Sequence, residues 1–239
     1  MISQFRSLLY SLNSHVLSIL PIGVLSLIWR YQPLLILGII ISIFFGVAMS
    51  PARADSVLGI ELSPALCKSS ASYRNLRQCV EGNALSVSFY RVTDRPCNAQ
   101  EYRMAPVQES IISRVIPDER IRQSIWQLHG RCSGMTSSGY FRQINNISSQ
   151  LRLPKELSDR RSFFITTNEL TQRIMGLNKG MSSQAVSLFC HTNTRNQAVL
   201  THIAVCYDNQ GRFGRCTTEN SQKSLINSCP SQIFIDGNY

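Results

Sequence analysis

Imidazole titrates closer to neutral pH than any other side chain, and from Asp55 onward the sequence carries three: His129, His191 and His202. His129 ends the run Ser124-Ile125-Trp126-Gln127-Leu128-His129, which continues as Gly130-Arg131-Cys132. On a helix Ile125, Leu128 and His129 stand at i, i+3 and i+4, so the imidazole shares its face with two aliphatic residues. Such a histidine is either a general acid or base, or a hydrogen-bonded structural residue. No second histidine lies between Asp55 and Leu128. His191 and His202 fall on strand-like segments and read as surface or core residues. Arg120, Arg122 and Arg131 bracket the His129 segment, and Arg91 precedes it. Guanidinium suits bidentate phosphate contact and base stacking, which makes a single-stranded nucleic acid the candidate partner. The competing reading is the ordinary solubility of a basic domain. Trp126, Tyr140 and Phe141 are assigned to the core rather than to stacking platforms.

These residues need a scaffold, and the cysteines indicate its kind. All eight (Cys67, Cys79, Cys97, Cys132, Cys190, Cys206, Cys216 and Cys229) lie after Asp55. An even count in an exported chain reads as disulfides, although spacing alone does not choose the pairing. No two are spaced C-x2-C, so a zinc site is not expected, and neither is another metal or a cofactor.

Residues 1–54 contain no Asp or Glu, and carry apolar runs from Val16 to Trp29 and from Leu34 to Met49. The second run, followed by Ala52-Arg53-Ala54, fits a signal peptide cleaved after Ala54, which implies a secreted or periplasmic protein. An uncleaved membrane anchor is the alternative. Net charge is +10, and removing Arg6, Arg30 and Arg53 leaves residues 55–239 strongly basic and long enough for one domain. A monomer is expected.

From Asp55 the periodicity predicts α+β. Val57–Leu62, Leu85–Tyr90, Ala185–Cys190, Thr201–Tyr207 and Gln232–Ile235 read as strands. Pro106 suits the first turn of a helix burying Val107, Ile111 and Val115, stopped by Pro117. Tyr140, Ile144, Ile147 and Leu151 mark an amphipathic helix. Thr166 and Glu169 form a capping box before Leu170, Ile174 and Leu177. Strands and helices come in blocks, which favours a central, mainly antiparallel sheet with helices packed on it.

Read in order, several motifs resemble the ribonuclease T2 family. Trp126-Gln127-Leu128-His129-Gly130-Arg131-Cys132, with Tyr140-Phe141 downstream, is similar to the family's second active-site segment, His-Glu-Trp-x-Lys-His-Gly-Thr-Cys. Val57–Cys67, ending Pro64-Ala65-Leu66-Cys67, resembles its first strand. Ser187–Cys190, Ile203–Asp208 and Ile233–Asp236 resemble its late strands. The resemblance implies the pairing Cys67–Cys79, Cys97–Cys132, Cys190–Cys229 and Cys206–Cys216. It also implies metal-independent cleavage of single-stranded RNA through a 2′,3′-cyclic phosphate, with two histidines as acid and base and a Glu and a Lys stabilising the phosphorane.

The departures fall on that machinery. His129 is the one catalytic position retained. The substrate-holding histidine is Ser124 here, the Glu is Ile125 and the Lys is Leu128. The first active-site segment aligns with Leu85–Val92, which places Ser88 where the family has its other catalytic histidine. The sequence therefore reads as an RNA-binding T2-like protein with lost or strongly impaired catalysis. An active endoribonuclease and a non-catalytic, disulfide-stapled interaction protein are the alternatives.

Overall fold

The computed structural model describes residues 55–69, 71–92, 97, 101–216 and 229–237. The expected signal peptide or anchor at residues 1–54 lies outside them. No helix among the described residues is long and apolar enough to cross a membrane.

Apolar alternation produces strands at the expected places. They are β1 (Ser56–Leu62), β2 (Leu85–Val92), β4 (Val186–Thr192), β5 (Ala198–Tyr207) and β6 (Gln232–Ile235). A further short strand, β3 (Phe163–Thr166), was not expected and forms by pairing with β6, Phe163 opposite Ile235. The sheet runs β2-β1-β5-β6-β3, with β4 on the other side of β5. All pairings are antiparallel except β5 with β6, which meet at Val199 and Phe234. The fold is therefore α+β with a mainly antiparallel sheet.

Seven α-helices accompany it among the described residues. Three are short: α1 (Ser63–Ser69), α2 (Ala71–Arg74) and α3 (Arg77–Val80). The others are α4 (Pro106–Ile112), α5 (Glu119–Leu128), α6 (Ser137–Gln150) and α7 (Thr167–Leu177). On α6 the expected stripe is buried at Tyr140, Ile144 and Ile147, and Leu151 caps the helix. On α7 the Thr166 hydroxyl accepts from the Glu169 N–H at 3.1 Å. The return half of the box is absent, because the Glu169 carboxylate takes Arg173 at 2.7 Å instead.

The α4 face differs from expectation. Val107 is 71% exposed and Ile111 is exposed, while Ile112 and Ile116 are buried. Two stripes one residue apart fit this segment. The observed one leaves Glu109 free to meet Arg122 at 3.0 Å and to accept from the Tyr102 hydroxyl at 2.7 Å.

One face of the sheet supplies Leu58, Ile60, Val87, Tyr90, Ile203 and Val205 to a single core with Trp126, Tyr140, Ile144 and Ile174. Each such side chain contributes about 1.5–3 kcal/mol by leaving water. The Tyr140 hydroxyl donates to the Tyr90 carbonyl, and its ring meets Trp126 edge-on at 5.8 Å, so α6, α5 and β2 share one joint. Trp126, Tyr140 and Phe141 are thus core, as expected. The disulfides are Cys67–Cys79, Cys97–Cys132, Cys190–Cys229 and Cys206–Cys216, the pairing the resemblance implied. Closing loops of 10–39 residues, each stabilises by about 3–4 kcal/mol in the chain-entropy account.

Candidate active-site surface

The site is built where β2 changes face. Gly59 pairs with Phe89 but Ile60 pairs with Val87, so Ser88 is an extra residue bulged out of β2. The bulge lets Val87 and Tyr90 both join the core, while Phe89 packs with Val57, Ala204 and Cys206 on the other face. Gly59 permits this. A Cβ there would fall 2.0 Å from Phe89 Cε1, so only glycine lets the ring lie against β1.

Phe89 reaches His129, with ring centroids 6.2 Å apart and planes tilted by 53°. The imidazole arrives from α5. Asp118 caps that helix by accepting from the Arg120 N–H at 2.9 Å, and His129 ends it, donating its own N–H to the Ile125 carbonyl at 2.9 Å. A 3-10 turn, Gly130–Cys132, follows at once. A Cβ at Gly130 would sit 2.1 Å from Trp126 Cε3, so the buried indole packs directly on the turn. The Cys97–Cys132 disulfide closes it. The turn that follows His129 is thus packed on a core tryptophan and tied by a covalent bond.

His129 is partly buried. Burial first, and the Arg91 charge second, push its pKa below the usual histidine value, so the ring is neutral at pH 7. It can accept a proton or a hydrogen bond but is a poor store of positive charge. Arg91 lies close enough to be felt, and Arg131 is exposed two residues beyond His129. A neutral imidazole, an aromatic ring and a guanidinium therefore converge.

The remaining candidate positions lie in different surroundings. Ile125 is 3% exposed and belongs to the core, whereas Leu128 is 66% exposed. This corrects the single aliphatic stripe: the helix ends at Leu128, and the two residues point to different media. Ser124 is half-buried, and the Ser88 hydroxyl is buried with no hydrogen-bond partner among the described residues. No group of His, Cys, Asp and Glu among the described residues could hold a metal ion.

Two of the four arginine expectations also change. Arg122 is not available to RNA. Its side chain is 6% exposed, Nη1 donates to the Ile116 and Pro117 carbonyls at 2.6 and 2.9 Å, and Nη2 pairs with Glu109. Arg120 is exposed but belongs to the far end of α5, roughly 13 Å from His129 by helical rise. There it pairs with Asp118 and donates to the Asn75 carbonyl. Phe89 was missed from sequence. The readable signal was Gly59, a glycine inside a strand, which marks a close approach by another group.

No protein-family model and no curated protein matches the sequence. Solved structures do. Ribonuclease MC1 from bitter gourd seeds matches with a TM-score of 0.54 at 15% identity, over 75% of this chain and 98% of that one. Japanese pear S3-RNase matches at 0.55 and 13%, over 74% and 97%. RNase NT, solved in complex with 5′-AMP, matches at 0.54 and 16%, over 76% and 97%. The described domain therefore has the ribonuclease T2 fold on a divergent sequence.

Proposed function

We propose that this is an exported T2-like protein that binds single-stranded RNA at the His129–Phe89–Arg91 surface and has lost most or all endoribonuclease chemistry. The observation that carries this reading is the place of Ile125. The position that would hold the phosphorane-stabilising carboxylate is packed in the core, so no small side-chain movement returns a charge there. Neutral His129 can take a proton from a ribose 2′-OH, but no second imidazole protonates the leaving 5′-oxygen. A missing acid–base group costs about 10²–10⁴-fold and a missing charge stabiliser about 10²–10³-fold. Binding survives on different terms, through phosphate contact at Arg91 and Arg131 and stacking on Phe89. Fluorescence anisotropy with a labelled single-stranded RNA tests this. Binding should weaken steeply as salt rises, and Arg91→Ala should weaken it further. No binding at low salt would overturn the reading.

The exposure of Leu128 beside His129 favours a second reading, a docking surface for a protein. RNA binding absent at low salt, together with a partner lost on Leu128→Ser, would support it.

A further inference from the structure

A polar cleft lined by none of the His129 surface residues lies across β4, β5 and β6. Its floor is a row across three strands: His191 pairs with Val199, and Val199 with Phe234. Its walls are α1, through Ala65 and Lys68, and the β4–β5 hairpin loop from Asn193 to Gln197. The cleft holds about 610 Å³, within the range of small-ligand sites.

We propose that this cleft binds a nucleoside phosphate, either free or as one unit of a strand. The chemistry of its walls makes the case. Arg195 projects from the hairpin tip, exposed and without an ion pair among the described residues. Lys68 stands on the opposite wall, held by both oxygens of Asp236 at 2.8 and 3.0 Å. Two cations against one carboxylate leave the cleft with a net positive charge suited to a phosphate. Phe234 is half-buried at the floor and braced by Phe164, with centroids 5.0 Å apart, which presents a ring for a base to stack on. His191 lines the floor beside it, with Nδ1 buried and without a hydrogen-bond partner among the described residues.

The frame is rigid. Asn193 Oδ1 accepts from the Arg195 and Gln197 N–H groups at 3.0 and 2.9 Å, and Asn193 Nδ2 donates to Gln197 Oε1 at 2.9 Å. Asn196 completes the turn with φ +58°. On the other side Ser162 donates to Asp236 and accepts from the Gly237 N–H. Arg195 is therefore presented by a preformed loop.

The inference stands independently of the His129 reading, and the test separates them. The full chain is titrated with 5′-AMP, with inorganic phosphate and with an oligoadenylate, while NMR follows the Val199 methyls and the rings of His191, Phe89 and His129. Val199 and His191 should shift with 5′-AMP, and Arg195→Ala and Phe234→Leu should each weaken that effect about fivefold or more. Arg91→Ala should leave it unchanged. Shifts with the oligoadenylate at the same residues would assign the cleft to a strand, and shifts with 5′-AMP alone to a free nucleotide. Phosphate binding as tightly as 5′-AMP would overturn the proposal by removing any role for the base. Shifts confined to Phe89 and His129, or none at millimolar 5′-AMP, would overturn it as well.

Discussion

Arg122→Met removes a charge that the fold has buried and replaces its stem with an apolar chain of similar length. Two carbonyls, those of Ile116 and Pro117, lose charged donors, each contact being worth about 1.5–3 kcal/mol. Glu109 loses its partner more cheaply. It is 29% exposed, can regain water, and keeps the Tyr102 hydroxyl. The methionine stem retains the packing, so the net cost is about 3–5 kcal/mol, as for other broken buried pairs. In a domain of this size that lowers Tm by roughly 6–20 °C. Thermal unfolding followed by circular dichroism reads the stability. RNA anisotropy, recorded well below the variant's Tm, reads binding, which should match the parent. Arg91→Met should do the opposite, leaving Tm within a few degrees and reducing the salt slope of RNA binding by about one. An Arg122→Met protein with unchanged Tm and lost RNA affinity would refute the assignment of Arg122 to structure.

Three further outcomes follow from particular contacts. Burial pushes the His202 pKa down to about 4 from 6.5, so the unfolded chain takes up a proton that the folded one refuses. The His202 share of stability should therefore fall as pH drops from 6.5 to 4, by about 3 kcal/mol; His202→Gln should flatten the slope in urea titrations, leaving the smaller part due to His129, and an unchanged slope would show His202 not responsible. Gly59→Ala should push Phe89 off β1 and expose His129, raising its pKa toward 6.5 in an NMR titration, and an unmoved pKa would contradict the contact. Asn178 is buried and bonded to the Arg152 N–H and carbonyl and to the Ile174 carbonyl at 2.7–2.9 Å; Asn178→Ala should cost about 2–4 kcal/mol by urea unfolding, and a loss under 1 kcal/mol would refute the clamp.

Local signals were readable where one residue's neighbours decide its state. The i, i+4, i+7 spacing of Tyr140, Ile144 and Ile147 and the cap at Thr166 both hold. The disulfide pairing came from the family resemblance, since cysteine spacing does not determine which thiols meet. What sequence did not show depends on contacts between distant segments. Ile111 and Ile112 are equally apolar, and the choice between their stripes rests on where Glu109 must go. Arg122 looked like its neighbour Arg120 until Glu109, Ile116 and Pro117 closed around it. Ile125 and Leu128 share a helical face on paper, but α5 ends between them and His129, and only one of them reaches the core. Phe89 became a site residue through a bulge at Ser88 and a missing Cβ at Gly59, neither of which has a periodic signature.

The central claim is that RNA binding has outlived RNA cleavage. The purified protein, incubated with a single-stranded RNA that it binds, should form 2′,3′-cyclic phosphate ends at least about a thousandfold more slowly than an intact T2 enzyme under the same conditions. Cyclic-phosphate product at a rate comparable to such an enzyme, abolished by His129→Ala, would contradict the account and make this an active ribonuclease.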